Sequence, residues 1–179
     1  MRVMKRLLIS LLLGMALLCQ AAANNPRTRH QLRLGWGDML FETLAFYPDY
    51  RYTGHFFTEY RYSFTKVTSV GFQADFEGLF HQQIRDYNLS LMPTVRFTFM
   101  DSDWVDLYAG LGAGILFAFD NAGGRETAPV VNMNLLGVQV GKGHWSGALE
   151  VGGMTSLKND NQIFMLGSRL LSLSLNYRW

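Results

Sequence analysis

The sequence predicts an all-β protein, an eight-stranded antiparallel up-and-down transmembrane β-barrel. Apolar and polar side chains alternate with a period of two over most of the chain, which is typical of strands with one apolar face. Tight turns and longer segments follow these runs in alternation, which is the layout of a membrane barrel. Beyond the N-terminus, no segment is long and apolar enough to form a transmembrane helix.

Residues 1–23 are predicted to be a cleaved secretory signal peptide, and residues 24–179 to be the barrel domain. The only cysteine, Cys19, lies in this leader, and a lipidation site there is disfavoured because Leu18 is not a small residue. The leader has the three parts that such peptides share. They are cations at positions 2, 5 and 6, an apolar run over 7–18 and small residues at 21–23.

The charge balance of the mature chain argues against a nucleic-acid partner. The whole chain has 16 basic and 14 acidic side chains, and loss of the three leader cations leaves 13 and 14, a net charge of −1. A nucleic-acid-binding domain would carry a basic excess. We therefore expect no nucleic-acid partner.

Eight alternating runs define the predicted strands. The sixth changes parity at Leu135-Leu136, which indicates a β-bulge. The glycines of the fifth run fall on its polar parity and suit a narrow interior. In chain order the runs are Leu32–Trp36, Phe56–Phe64, Val70–Phe80, Leu89–Phe99, Val105–Phe119, Val131–Val140, Trp145–Val151 and Leu171–Trp179.

The connections between these runs predict two different rims. Longer segments are expected at 38–53, 81–86, 120–128 and 155–162, and tight turns join the other strands. An even number of strands places both chain ends on the short-turn side. Aromatic side chains gather near both ends of the runs, as they do where a barrel meets the two membrane interfaces. This distribution favours a lipid-facing apolar surface over the inward apolar surface of a soluble barrel.

The last run resembles the C-terminal assembly signal of Gram-negative outer-membrane proteins, and the mature chain resembles the eight-stranded OmpA/OmpX-type barrel family. This resemblance implies an outer-membrane location. It also implies membrane lipid as a partner, together with the barrel assembly machinery and periplasmic chaperones during biogenesis. The residues of the predicted assembly signal are Leu173, Leu175, Tyr177 and Trp179.

Charged residues on the polar parity are predicted to fill the lumen. Mixed signs at one height favour a network of salt bridges, because a buried charge is tolerable when it is paired. The alternative interpretations are an ion pathway or a pair of catalytic carboxylates. The residues of the predicted network are Glu59, Arg61, Asp75, Glu77, Arg96 and Glu150.

The first long connection, 38–53, is unusually aromatic. It is expected either to extend the strands beyond the bilayer or pack as a lid, or to offer a contact surface for a partner, a polysaccharide or a lipid headgroup. The candidate contact residues are Phe41, Phe46, Tyr47, Tyr50 and Tyr52.

An enzymatic interpretation rests on His144-Trp145-Ser146 with Glu150, which resembles the His-x-Ser pair and Glu of lipid A deacylases. The position is unfavourable, because His144 adjoins a short turn rather than the outer rim. No two histidines have metal-ligand spacing, and no cofactor motif occurs, so neither a metal nor a cofactor is expected. The sequence therefore predicts a non-enzymatic structural or surface-interaction protein, with a lipid-modifying enzyme and a small pore as alternatives.

Overall fold

The computed structural model describes residues 29–38, 51–81, 84–120, 123–156 and 171–179, which form one closed antiparallel sheet in the order of the chain. Strand β1 also pairs with β8, which closes the barrel and confirms the predicted fold class. None of the described segments is a helix long and apolar enough to cross a membrane. The predicted signal peptide lies outside the described residues. The strands are β1 (His30–Asp38), β2 (Arg51–Ser63), β3 (Thr68–His81), β4 (Ile84–Asp101), β5 (Val105–Asp120), β6 (Arg125–Val140), β7 (Trp145–Ser156) and β8 (Leu171–Arg178).

Two of the predicted long connections are wrong. Only residues 82–83 separate β3 from β4, and only 121–124 separate β5 from β6. The strands continue past the apolar alternation because backbone pairing does not need apolar side chains, as in the pairing of Arg125 with Phe119. The other two connections span 39–50 and 157–170, outside the described residues. Long connections therefore follow only β1 and β7.

The opposite rim carries three tight turns. In the first, the Thr65 hydroxyl accepts hydrogen bonds from the backbone N–H groups of Val67 and Thr68, at 3.1 and 2.9 Å. In the second, the Ser102 hydroxyl accepts one from the Val105 N–H at 3.0 Å. In the third, Gly143 has a positive φ of 76°, a conformation that favours glycine. The hydrogen bonds of the first two turns satisfy backbone groups that the sheet leaves unpaired.

Side chains alternate between the two faces of the barrel as the sequence predicted. Leu149 and Leu173 on the outer face are 41% and 53% exposed, whereas Glu150 on the inner face is 1% exposed. The outer face is thus apolar and the interior is largely polar, the reverse of a soluble globular protein. Such an outer face is stable against acyl chains.

The predicted bulge in β6 is confirmed. The pairing of β6 with β7 shifts between Asn134 and Leu136. As a result Leu135 and Leu136, although adjacent in sequence, are both exposed on the outer face. The extra residue lets the strand resume its alternation without turning a leucine into the lumen.

Two glycines make room for aromatic rings inside the barrel. Gly137 pairs with Tyr108 and Gly35 pairs with Phe57, and a Cβ at either glycine would overlap the ring opposite. Both rings therefore lie flat across the neighbouring strand and are fully or almost fully buried. This arrangement lets an interior of eight strands hold large side chains.

Candidate functional site

The centre of the lumen is crossed by a network around Arg33. One guanidinium nitrogen, Nη1, lies 2.8 Å from Oε2 of Glu59, and the other, Nη2, lies 2.6 Å from Oε1 of Glu150. All three side chains are at most 1% exposed. A planar guanidinium is suited to bridging two carboxylates in this way.

Each carboxylate of this network has further partners. Glu59 also accepts a hydrogen bond from Arg61 at 2.7 Å and one from the Thr94 hydroxyl at 2.5 Å. The Tyr108 hydroxyl donates to Glu150 at 2.6 Å. Pairing and hydrogen bonding together make these buried charges tolerable.

Arg33 also binds β8. Its Nε donates to Oδ1 of Asn176 at 3.0 Å, and Nη2 donates to the Ser174 hydroxyl at 3.1 Å. The network thus joins side chains of β1, β2, β4, β5, β7 and β8 across the lumen. We call it the Arg33 network: Arg33, Glu59, Arg61, Thr94, Tyr108, Glu150, Ser174 and Asn176.

Sequence reasoning missed Arg33. The signal was available, because Arg33 lies between the apolar Leu32 and Leu34 and so has the inward parity. Only the closed sheet reveals that it lies between two carboxylates from different strands.

Two of the predicted lumen residues, Asp75 and Glu77, form a separate cluster nearer the long connections. His55 Nε2 lies 2.9 Å from Oδ1 of Asp75, and Gln73 donates to Oδ2 of Asp75 at 2.7 Å. Asn88 donates to Glu77 at 3.0 Å. The six predicted residues therefore do not form one network, because the strand register separates these carboxylates from Glu59 and Glu150.

Arg96 differs from the other predicted lumen residues. It is 4% exposed, donates to Oε1 of Gln139 at 2.9 Å, and lies with its guanidinium carbon 3.3 Å from the centre of the Tyr108 ring. Within the described part of the chain it forms no salt bridge. Gln139 is held in turn by the Ser146 hydroxyl, to which it donates at 2.7 Å.

A cavity of about 520 Å³ opens at the short-turn rim and extends inward as far as Arg96. Arg178 and Asp106 form an ion pair in its wall at 2.8 Å, with side chains 23% and 9% exposed. No group of histidine, cysteine and acidic side chains among the described residues has the arrangement of a metal site. The cavity is polar and opens at the rim where β1 begins and β8 ends.

The residues of the enzymatic alternative have different partners. His144 lies exposed at a turn, where its Nδ1 is 2.7 Å from the backbone oxygen of Arg178. Ser146 accepts a hydrogen bond from Gln139, and Glu150 belongs to the Arg33 network.

Most of the predicted loop-contact residues, Phe41, Phe46, Tyr47 and Tyr50, lie outside the described residues. The prediction that Tyr52 belongs to the connection is wrong, because β2 already begins at Arg51. β2 thus begins five residues before Phe56, the first position of the predicted run.

The residues of the predicted assembly signal form the outer face of β8. Leu173 and Leu175 are exposed there, and Tyr177 contacts Trp145 and Trp179 with ring centroids 4.9 and 5.7 Å apart. Such rings suit the headgroup boundary of a membrane. Their role in assembly remains a prediction.

Comparison with solved structures identifies the same architecture. The N-terminal β-barrel domain of Pseudomonas aeruginosa OprF has a TM-score of 0.58 and 12% identity, covering 85% of this chain and 98% of that one. Ail, the attachment invasion locus protein of Yersinia pestis, has a TM-score of 0.48 and 13% identity, covering 85% and 97%. Ail in a phospholipid bilayer nanodisc has a TM-score of 0.45 and 16% identity, covering 86% and 100%.

No protein-family model matches the chain, and comparison with curated proteins gives no match. The similarity to the OprF barrel domain supports the predicted fold, an eight-stranded closed β-barrel. With its apolar outer face and polar lumen, the protein is an outer-membrane β-barrel.

Proposed function

We propose that the protein is a non-conducting, non-enzymatic outer-membrane barrel that acts through its extracellular connections. The observation that carries the proposal is the Arg33 network, which joins six of the eight strands across the lumen. A permeating ion would have to displace salt bridges between side chains that are at most 1% exposed. A conducting pore instead needs a continuous water-filled path.

Planar-bilayer recording tests whether the lumen is closed. The wild-type protein is expected to give no stable single-channel steps. A variant with Arg33→Ala and Glu59→Ala removes the centre of the network and is expected to conduct. A matched control, Arg125→Ala with Glu126→Ala, changes one cation and one anion at the outer end of β6 and is expected to remain silent. Stable steps in the wild type would contradict the proposal.

The aromatic connection after β1 is the proposed contact surface. The two strands that flank it are paired, Trp36 with Phe56 and Gly37 with His55. Connections between strands often carry binding residues, and aromatic side chains favour recognition. We propose a saccharide or headgroup of the cell surface as its partner.

Calorimetry with purified lipopolysaccharide core oligosaccharide tests this contact. The protein in nanodiscs is expected to bind it, and a variant with Phe46, Tyr47 and Tyr50 changed to serine is expected to lose at least tenfold in affinity. A control variant, Phe164→Ser in the connection after β7, should bind as the wild type does. Equal binding by all three proteins, or no binding by any, would contradict the proposed contact.

A separate assay addresses catalysis. Purified protein incubated with lipid A is expected to release no fatty acid, because His144, Ser146 and Glu150 have different partners. Release of fatty acid that is abolished by His144→Ala would contradict the non-enzymatic proposal.

A further inference from the structure

The cavity at the short-turn rim has the size of a small-molecule site. Its volume of about 520 Å³ falls in the range of roughly 300–1,000 Å³ that is usual for ligand pockets. It lies on the periplasmic side of the Arg33 network, so a ligand would reach it without crossing the lumen. Its polar lining includes Lys66, Arg96, Thr98, Lys142 and Arg178.

Arg96 lies at the inner end of this cavity as a buried cation. Its described partners are the Gln139 amide oxygen and the face of the Tyr108 ring, both of which are uncharged at neutral pH. A guanidinium has five N–H donors and is always protonated, so burial without a directly paired anion is unfavourable. The carboxylates of Asp106 and Glu150 act on Arg96 electrostatically, but their salt bridges are with Arg178 and Arg33.

The interior around Arg96 has an excess of positive charge. Among the described residues at the level of the Arg33 network, three arginines, Arg33, Arg61 and Arg96, face two carboxylates, Glu59 and Glu150. Arg61 also has fewer acceptors than donors, since its buried Nε and Nη1 have no hydrogen-bond partner in the described part of the protein. One further anion would balance this set of charges.

The acidic residues of the cavity do not remove this excess. Asp101 and Asp103 belong to the turn at the mouth and are exposed to water. Asp106 is already paired with Arg178. The wall thus offers a cation at its buried end and solvated acids at its entrance.

We propose that this cavity binds a small oxyanion from the periplasm, a phosphate or carboxylate group held by the Arg96 guanidinium. Planar oxyanions match the fork of N–H donors that arginine presents. Gln139 and Tyr108 orient the guanidinium from one edge and one face, and the cavity adjoins its remaining surface. This site is separate from the extracellular connections and does not depend on their proposed role.

Nuclear magnetic resonance of the refolded full chain in dodecyl maltoside micelles, which contain no phosphate, tests the proposal. Inorganic phosphate and acetate are titrated separately while the side-chain Nε–H resonances of Arg96 and Arg125 are followed. Arg125 is the control, because it is exposed at the opposite end of the barrel. We expect the Arg96 resonance to shift and saturate while that of Arg125 stays in place.

The two titrations distinguish the sources of the oxyanion. Saturation by phosphate alone assigns a phosphate group, saturation by acetate alone assigns a carboxylate, and saturation by both assigns a general oxyanion site. Arg96→Gln is expected to weaken binding at least tenfold, whereas Arg125→Gln leaves it unchanged. The wild-type spectra decide the matter even if Arg96→Gln does not fold. No saturation of the Arg96 resonance by about 10 mM of either anion would overturn the proposal, and so would binding that Arg96→Gln leaves intact.

Discussion

Replacement of Arg33 by methionine is expected to destabilise the barrel more than any loss of a charge at its rim. The substitution keeps an unbranched side chain in the lumen but removes the cation between Glu59 and Glu150. Glu59 keeps Arg61 at 2.7 Å and the Thr94 hydroxyl. Glu150 loses the salt bridge to Arg33 and keeps the hydrogen bond from Tyr108.

The expected loss in the free energy of unfolding follows from this difference between the two carboxylates. Removal of one partner from a buried pair costs about 3–5 kcal/mol, because a buried charge is left uncompensated. Arg33→Met breaks the salt bridge of Glu150, while Arg96 still acts on that carboxylate electrostatically, so we expect a loss at the lower end of this range, about 3 kcal/mol, in the free energy of unfolding. The matched control is Arg178→Met. Its salt bridge with Asp106 is partly exposed, so a loss of at most about 1 kcal/mol is expected.

The assay is urea unfolding in phosphatidylcholine vesicles, followed by tryptophan fluorescence. Adding Glu150→Gln to Arg33→Met removes the buried carboxylate that has lost its salt bridge to Arg33, and the double variant should recover about 2 kcal/mol. The reasoning would be refuted if Arg33→Met lost no more stability than Arg178→Met. It would also be refuted if Glu150→Gln failed to restore stability to the Arg33→Met protein.

Two further predictions concern packing and the lipid face. Gly137→Ala should destabilise the protein by about 1–3 kcal/mol through overlap with the Tyr108 ring. Gly153→Ala, with no atom within 4 Å of its added Cβ, is the control and should change stability by less than about 0.5 kcal/mol. In the same urea assay, Leu149→Arg on the outer face should cost about 2–4 kcal/mol, and Val140→Arg near the short-turn rim at most about 1 kcal/mol. Equal losses of stability in Gly137→Ala and Gly153→Ala would contradict the packing of Tyr108 against Gly137. Equal losses in Leu149→Arg and Val140→Arg would contradict the placement of Leu149 deeper in the membrane than Val140.

The sequence alone predicted the number of strands, the parity of their faces and the bulge at Leu135-Leu136. These features depend on local rules, because a strand between lipid and a narrow lumen must alternate at every position. The lengths of the connections were less predictable. Backbone pairing extends the starts of β4 and β6 into polar sequence, where the alternation of apolar and polar side chains no longer indicates a strand.

The interior was determined by tertiary structure. Parity could place Glu59, Arg61, Arg96 and Glu150 inside the barrel, but partners are chosen by register and closure across strands distant in sequence. Arg33 approaches Glu150 only because β1 closes the sheet against β8, which is flanked by β7. The same closure leaves Arg96 beside an uncharged amide and ring. Alternation thus determines which side chains face inward, whereas the three-dimensional register determines which charges are paired.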